Sequence, residues 1–68
     1  MSENFSHAKL RTPQAAEFAG LATSTLEKLR VSGQGPAYIK VGKAVIYDVA
    51  DIEEWLATKR RRSTSVAA

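Results

Sequence analysis

Residues 12–33 read TPQAAEFAGLATSTLEKLRVSG, and this segment contains two short helical patterns with a turn between them. Thr12 is expected to cap the first helix, with Pro13 at the first helical position, where the N–H that proline lacks would be unpaired anyway. Alanine and phenylalanine then form one broad apolar face as far as Gly20, a residue that readily takes the left-handed conformation found at helix ends. These signals predict a helix that ends at Gly20.

The second helical pattern begins at the hydroxyl residues 23–25. Thr23 is the expected cap, because the residue before it is an alanine and has no side-chain oxygen. Leu26 and Leu29 are three residues apart and therefore share one side of the helix. Two short helices joined by a Gly-Leu turn are the pattern of a helix-turn-helix.

The chain changes character after residues 32–36, which contain two glycines and a proline. Residues 37–41 and 44–47 are rich in β-branched and aromatic side chains, which favour strands. Gly42 and Lys43 lie between them, and a two-residue loop with glycine first predicts a type II′ β-hairpin.

A third helix is predicted after Asp48, which can cap it. Val49, Ile52, Trp55 and Leu56 follow at the spacing of one helix face, so all four are expected to face the core. The predicted fold class is therefore mainly α with a β-hairpin. The order of elements, helix, turn, helix, two-stranded wing and closing helix, is that of a winged helix-turn-helix.

The composition excludes several classes of protein. A chain of 68 residues forms one domain with a thin core and no deep active site, and it contains no cysteine and a single histidine, His7. We therefore expect no metal, no cofactor and no enzymatic activity. The chain has no membrane-spanning run and no signal-peptide core, so a cytoplasmic location is expected. We expect a flexible N-terminal arm at residues 1–9, a folded domain at residues 10–61 and a flexible basic and polar tail at residues 62–68.

The charge of the chain is the first indication of a partner. Lysine and arginine outnumber aspartate and glutamate by 10 to 7, and the pI of about 9.6 is typical of nucleic-acid binders. One basic run ends the third helix and consists of Lys59, Arg60, Arg61 and Arg62. This run could be a solvated helix end, a non-specific DNA contact or a contact with an acidic partner protein.

The motifs together are more specific than any one of them. They are TPQAAEFAGL at residues 12–21, STLEKL at 24–29, SG at 32–33, GPAYIKVGK at 35–43, Tyr47, and DIEEWL at 51–56. This combination resembles the compact bacterial MerR-like winged helix-turn-helix family, and within it the excisionases and AlpA-type regulators of phages and integrative elements. The resemblance covers residues 10–61 and implies a domain that binds double-stranded DNA, with the second helix in the major groove and the hairpin on the neighbouring backbone.

The second helix is the recognition helix under this interpretation. With its leucines facing inward, the residues that point outward are Ser24, Glu27, Lys28 and Val31, and Thr23 and Thr25 flank that face near the helix N-terminus. The candidate contacts are Thr23, Ser24, Thr25, Glu27 and Lys28. Lys28 can donate to guanine or phosphate, the hydroxyl groups can contact phosphate or a base edge, and Glu27 can accept from cytosine N4. The alternative is a solvated polar face without any contact to DNA.

Two further groups of residues are candidates for DNA contact. The wing contacts would be Lys40, Gly42 and Lys43, with Gly42 needed chiefly for the turn. The backbone anchors would be Arg11, Thr12 and Arg30. Arg30 would also complement the dipole at the end of its helix. For Tyr38 and Tyr47, packing against the core is favoured over phosphate contact.

The biological role is open between two DNA-binding functions. An excisionase, or recombination directionality factor, bends DNA near an attachment site and steers an integrase, whereas a small transcriptional regulator acts at a promoter. The lack of a ligand-sensing domain and of a long dimerisation helix favours the excisionase. We expect a nucleoid-associated monomer that assembles cooperatively, head to tail, on DNA. The alternative from another class is a protein-interaction module, antitoxin-like or adaptor-like, that grips a partner with exposed apolar residues such as Val31 and Ile46.

Overall fold

The computed structural model describes residues 8–61. The elements follow one another as β1 Lys9–Arg11, α1 Thr12–Ala19, α2 Thr23–Ser32, β2 Ile39–Val41, β3 Ala44–Asp48 and α3 Val49–Thr58. Three helices and a small sheet with a hairpin wing confirm the predicted class, a winged helix-turn-helix. His7, Arg62 and the rest of the tail predicted at residues 62–68 lie outside the described residues.

Helix α1 begins at the residue that was expected to cap it. Thr12 is already helical, and Arg11 occupies the N-cap position without a side-chain cap hydrogen bond, so the prediction that Thr12 caps the helix is wrong. The physical reason is that Arg11 ends strand β1 and is already extended there, as an N-cap residue must be. The helix ends as predicted at Gly20, which has a φ of 79° and donates its N–H to the carbonyl of Glu17.

Helix α2, like α1, has as its first helical residue the one that was expected to cap it, Thr23. Ala22 occupies the N-cap position and makes no side-chain hydrogen bond, so the prediction that Thr23 caps this helix is wrong. The N–H of Leu26 donates to the carbonyl of Ala22 at 3.1 Å, which places the first turn one residue earlier than expected. In the turn between the helices, the N–H of Leu21 donates to the carbonyl of Ala16 at 2.8 Å and holds α2 close to α1.

Strands β2 and β3 form the predicted wing. Val41 lies opposite Ala44, so the connecting loop consists of Gly42 and Lys43. Gly42 has a φ of 60°, and within residues 8–61 only glycines have a positive φ. A type I′ turn would need a positive φ at both positions, so the turn is of the predicted type II′. Strand β2 is shorter than predicted and begins only at Ile39.

Strand β1 has no counterpart in the predicted fold. It pairs antiparallel with β3, and the sheet has the order β1-β3-β2 with β3 in the centre. The ammonium of Lys9 lies 3.2 Å from the carboxylate of Asp48, and the N–H of Val49 donates to the carbonyl of Ala8 at 3.0 Å. The flexible arm expected at residues 1–9 therefore extends too far, because its last two residues are hydrogen-bonded or paired to the end of β3 and the start of α3.

The core lies where α1, α2, β3 and α3 meet. Its buried apolar residues are Ala15, Ala16, Leu26, Tyr47 and Ile52. The predicted packing of Tyr47 is confirmed, and the hydroxyl of this fully buried side chain has no hydrogen-bond partner among residues 8–61. Asp48 caps α3 as predicted, since its Oδ1 accepts from the N–H of Ala50 at 2.9 Å.

Trp55 joins α3 to the loop that follows α2. It is only half-buried, and its indole N–H donates to the carbonyl of Gln34 at 2.9 Å, so it lies at the edge of the core instead of inside it as expected. Tyr38 is 44% exposed, with its ring centroid 6.2 Å from that of Tyr47, so its predicted packing is only partial. Among the described residues, no helix is long and apolar enough to cross a membrane.

Candidate nucleic-acid interface

The outer side of α2 is a polar, solvent-exposed surface. All five candidate contacts of the recognition helix are exposed: Thr23, Ser24, Thr25, Glu27 and Lys28. Leu26 anchors the opposite side of the helix in the core at 1% exposure. The ten residues of α2 make a rod of about 15 Å. A helix with its side chains is about 10–12 Å in diameter, which fits the major groove of about 12 Å in width.

A cleft of about 400 Å³ connects this helix to the wing and to the start of α1. Its lining consists of Arg11, Thr12, Pro13, Gln14, Glu27, Arg30, Lys43 and Val45. The three predicted backbone anchors, Arg11, Thr12 and Arg30, are therefore brought together with Lys43 of the wing and Glu27 of the recognition helix. These residues are distant in sequence, and the sheet and the turn at Gly20 bring them to one face of the molecule.

The cleft carries three cationic groups and one carboxylate. None of Arg11, Arg30, Lys43 and Glu27 makes an ion pair with another residue in the range 8–61. The guanidinium of Arg30 lies 5.9 Å from the ring centroid of Tyr38, and its Nε is buried without a hydrogen-bond partner among the described residues. A cleft with excess positive charge and unpaired donors suits an anion such as a phosphate group.

Most of the chain matches a known protein family. The model of a family described as helix-turn-helix domain matches residues 10–60 of the 68. The chain belongs to this helix-turn-helix family. The match covers every element to the end of α3 except Lys9, the first residue of β1, and it supports sequence-specific DNA binding by the domain. No curated protein matches the chain.

The wing of the helix-turn-helix domain carries the other predicted contacts. Gly42 and Lys43 form its tip, and Lys43 alone of the three predicted wing residues lines the cleft. Lys40 is exposed and lies directly opposite Val45, so these two side chains share one face of the sheet. Since Val45 lines the cleft, Lys40 lies on the same side of the wing as the cleft.

The basic run at the end of α3 is separate from this interface. Lys59, Arg60 and Arg61 are exposed and do not line the cleft, and the Lys59 ammonium lies 5.7 Å from the ring centroid of Trp55. Arg60 borders a small depression on α3 with Glu53. The described part of the run is therefore located apart from the recognition helix and the wing tip.

Three residues of the cleft, Pro13, Gln14 and Val45, were not anticipated from the sequence as contacts. Gln14 lies in the first turn of α1. Its position two residues after the predicted anchor Thr12 is the only sequence signal that could have indicated its place in the cleft. Val45 belongs to the central strand, and its place in the cleft depends on the sheet. In residues 8–61, no group of three or more His, Cys, Asp or Glu side chains could hold a metal ion.

Proposed function

We propose that this protein is an excisionase, a recombination directionality factor of the MerR-like type that binds and bends DNA near an attachment site and steers an integrase. The observation that carries the proposal is the convergence of α2, the start of α1 and the wing tip around one cationic cleft. The role of the protein is to bind and shape DNA, and we assign it no enzymatic step.

The positions of these elements support the following docking on DNA. With α2 in the major groove, Ser24, Thr25 and Lys28 face the bases and the nearest phosphates. The cleft then takes the phosphate backbone at the groove edge, where Arg11 and Lys43 can both donate to it. The wing reaches beyond that backbone strand. DNA that bends toward the wing would gain contacts with it.

A single copy offers few base contacts, because one ten-residue helix presents the whole base-reading surface. Single modules of this kind bury only about 600–1,000 Å² on DNA, which gives limited affinity. We infer that the protein is a monomer in solution and that several copies assemble cooperatively, head to tail, on adjacent sites. Such an array would add the bends of the individual copies.

A gel-shift titration with DNA flanking the protein's own gene and a neighbouring integrase gene tests this proposal. We expect discrete complexes that resist competitor DNA and build up as a ladder, and an increase in excision when the protein is added to integrase and its attachment-site DNA. Specific binding to a promoter without any effect on excision would mean that the protein is a transcriptional regulator and not an excisionase. A smear that competitor removes would contradict specific binding altogether.

Lys28→Ala tests the placement of the recognition helix. The variant should bind its specific site more weakly by about 1–3 kcal/mol and tolerate more bases at one position of that site. Lys59→Ala is the matched control, since it removes the same charge outside the cleft. Equal effects of the two substitutions would mean that α2 does not read the bases.

A further inference from the structure

Val31 is the most exposed large apolar residue in the range 8–61. Its side chain is 80% exposed, whereas the next, Val41, is 58% exposed. Val31 lies in α2 one turn after Lys28 and two turns after Ser24, so the three residues form one stripe along the outer side of the helix. The stripe of polar residues proposed to face the bases therefore ends in an apolar side chain.

The surroundings of Val31 form a shallow depression of about 350 Å³. It is lined by Ser24, Glu27, Lys28, Val31 and Ser32. Ser32 turns its hydroxyl to the carbonyl of Leu29 at 3.1 Å and so does not offer this donor outward. Glu27 lines both this depression and the cationic cleft, so the two are continuous on one face of the domain. A duplex bound along the cleft would therefore lie beside Val31.

We propose that Val31 reads a thymine by contact with its 5-methyl group. This inference rests on the proposed DNA binding and adds a base-reading residue to it. The thymine methyl is the apolar group that base pairs present in the major groove, and it is recognised there by small apolar side-chain groups. Lys28, one turn away, supplies the polar contact to a neighbouring base or phosphate.

The experiment removes the methyl group from the DNA and its partner from the protein. The specific site is first selected from a random double-stranded library with the full chain, and each thymine in it is then replaced singly by deoxyuridine. We expect one replacement to weaken wild-type binding about fourfold, the value of one buried methyl group. Val31→Ala should bind the thymine and deoxyuridine forms of that site equally.

Two controls separate this result from a general loss of binding. Val41→Ala removes the other highly exposed valine from the wing and should keep the full sensitivity to deoxyuridine. Val31→Ala should keep the wild-type dependence of binding on salt, because it removes no charge.

Three outcomes would overturn the inference. If no thymine is sensitive in the wild type, or if Val31→Ala retains the sensitivity, Val31 does not read a methyl group, although DNA binding itself stands. If the wild-type chain selects no site at all, the proposed function fails as well, and Val31 belongs to a surface for another protein.

Discussion

Lys43 stands at the tip of the wing and lines the cationic cleft, which makes it the clearest test of how the domain meets the DNA backbone. Its ammonium makes no ion pair with another residue in the range 8–61, so Lys43→Ala removes a charge without leaving an unpaired carboxylate behind. The turn itself depends on Gly42, which has the positive φ, and not on the side chain of Lys43. The substitution should therefore weaken binding to DNA of any sequence and leave the fold unchanged.

The size of the effect follows from the cations on the DNA-facing side. These are Arg11, Lys28, Arg30, Lys40 and Lys43. Five neutralised phosphates give a slope of log K against log salt of about −4.5, and four give about −3.6. If the two proteins bind equally near 1 M salt, Lys43→Ala should bind about 15-fold more weakly at 50 mM and about fourfold more weakly at 200 mM.

Fluorescence anisotropy with a labelled duplex, measured from low to high salt, gives both slopes directly. Lys43→Arg should restore the wild-type slope because it retains the charge, and Lys59→Ala should have the wild-type slope because Lys59 lies outside the cleft. The reasoning is refuted if Lys43→Ala keeps the wild-type slope, or if Lys59→Ala flattens it by the same amount.

Three further predictions concern single side chains. Tyr47→Phe should leave stability unchanged or raise it by about 1 kcal/mol in urea unfolding, because the lost hydroxyl is buried without a hydrogen-bond partner in the described part of the chain; a clear loss of stability would reveal a partner outside that part. Asp48→Ala should lower the free energy of unfolding by about 1–2 kcal/mol in the same assay, since it removes the N-cap hydrogen bond to the N–H of Ala50 and the ion pair with Lys9; an unchanged midpoint would count against both contacts. Glu27→Gln should strengthen binding to random DNA by about 0.5–1 kcal/mol in anisotropy titrations by removing a carboxylate from the cleft, and weaker binding would place Glu27 away from phosphates.

The elements that local sequence encodes were predictable. Gly20 ends α1 through its backbone conformation, Gly42 sets the hairpin turn, and Asp48 caps α3. Each of these signals acts within a few residues of its own position. Strand β1 could not be predicted in this way, because Lys9–Arg11 contains one apolar residue between two basic ones and becomes a strand only through its pairing with β3.

The same distinction separates the two parts of the candidate site. The exposed side of α2 follows from the spacing of Leu26 and Leu29, so its polar residues could be identified from the sequence. The cleft could not, because Arg11, Arg30 and Lys43 meet only after the sheet and both helices have packed. The contact of Arg30 with Tyr38 is also tertiary, and the sequence indicated Arg30 only as a backbone anchor and a cation near a helix end.

The position of β3 in the sheet has a consequence for folding and local opening. Its pairing with β1 joins Lys9 to Asp48 across α1, α2 and β2, so it closes a long loop and should form late compared with the local hairpin. In the folded protein β3 has a partner on either side, whereas β2 is an edge strand. Amide protons of β3 should therefore exchange with solvent only when the whole domain unfolds, and those of β2 through fraying of the wing. The wing thus has a rigid inner strand and a compliant outer one, which lets its tip follow the path of the DNA while its base stays fixed.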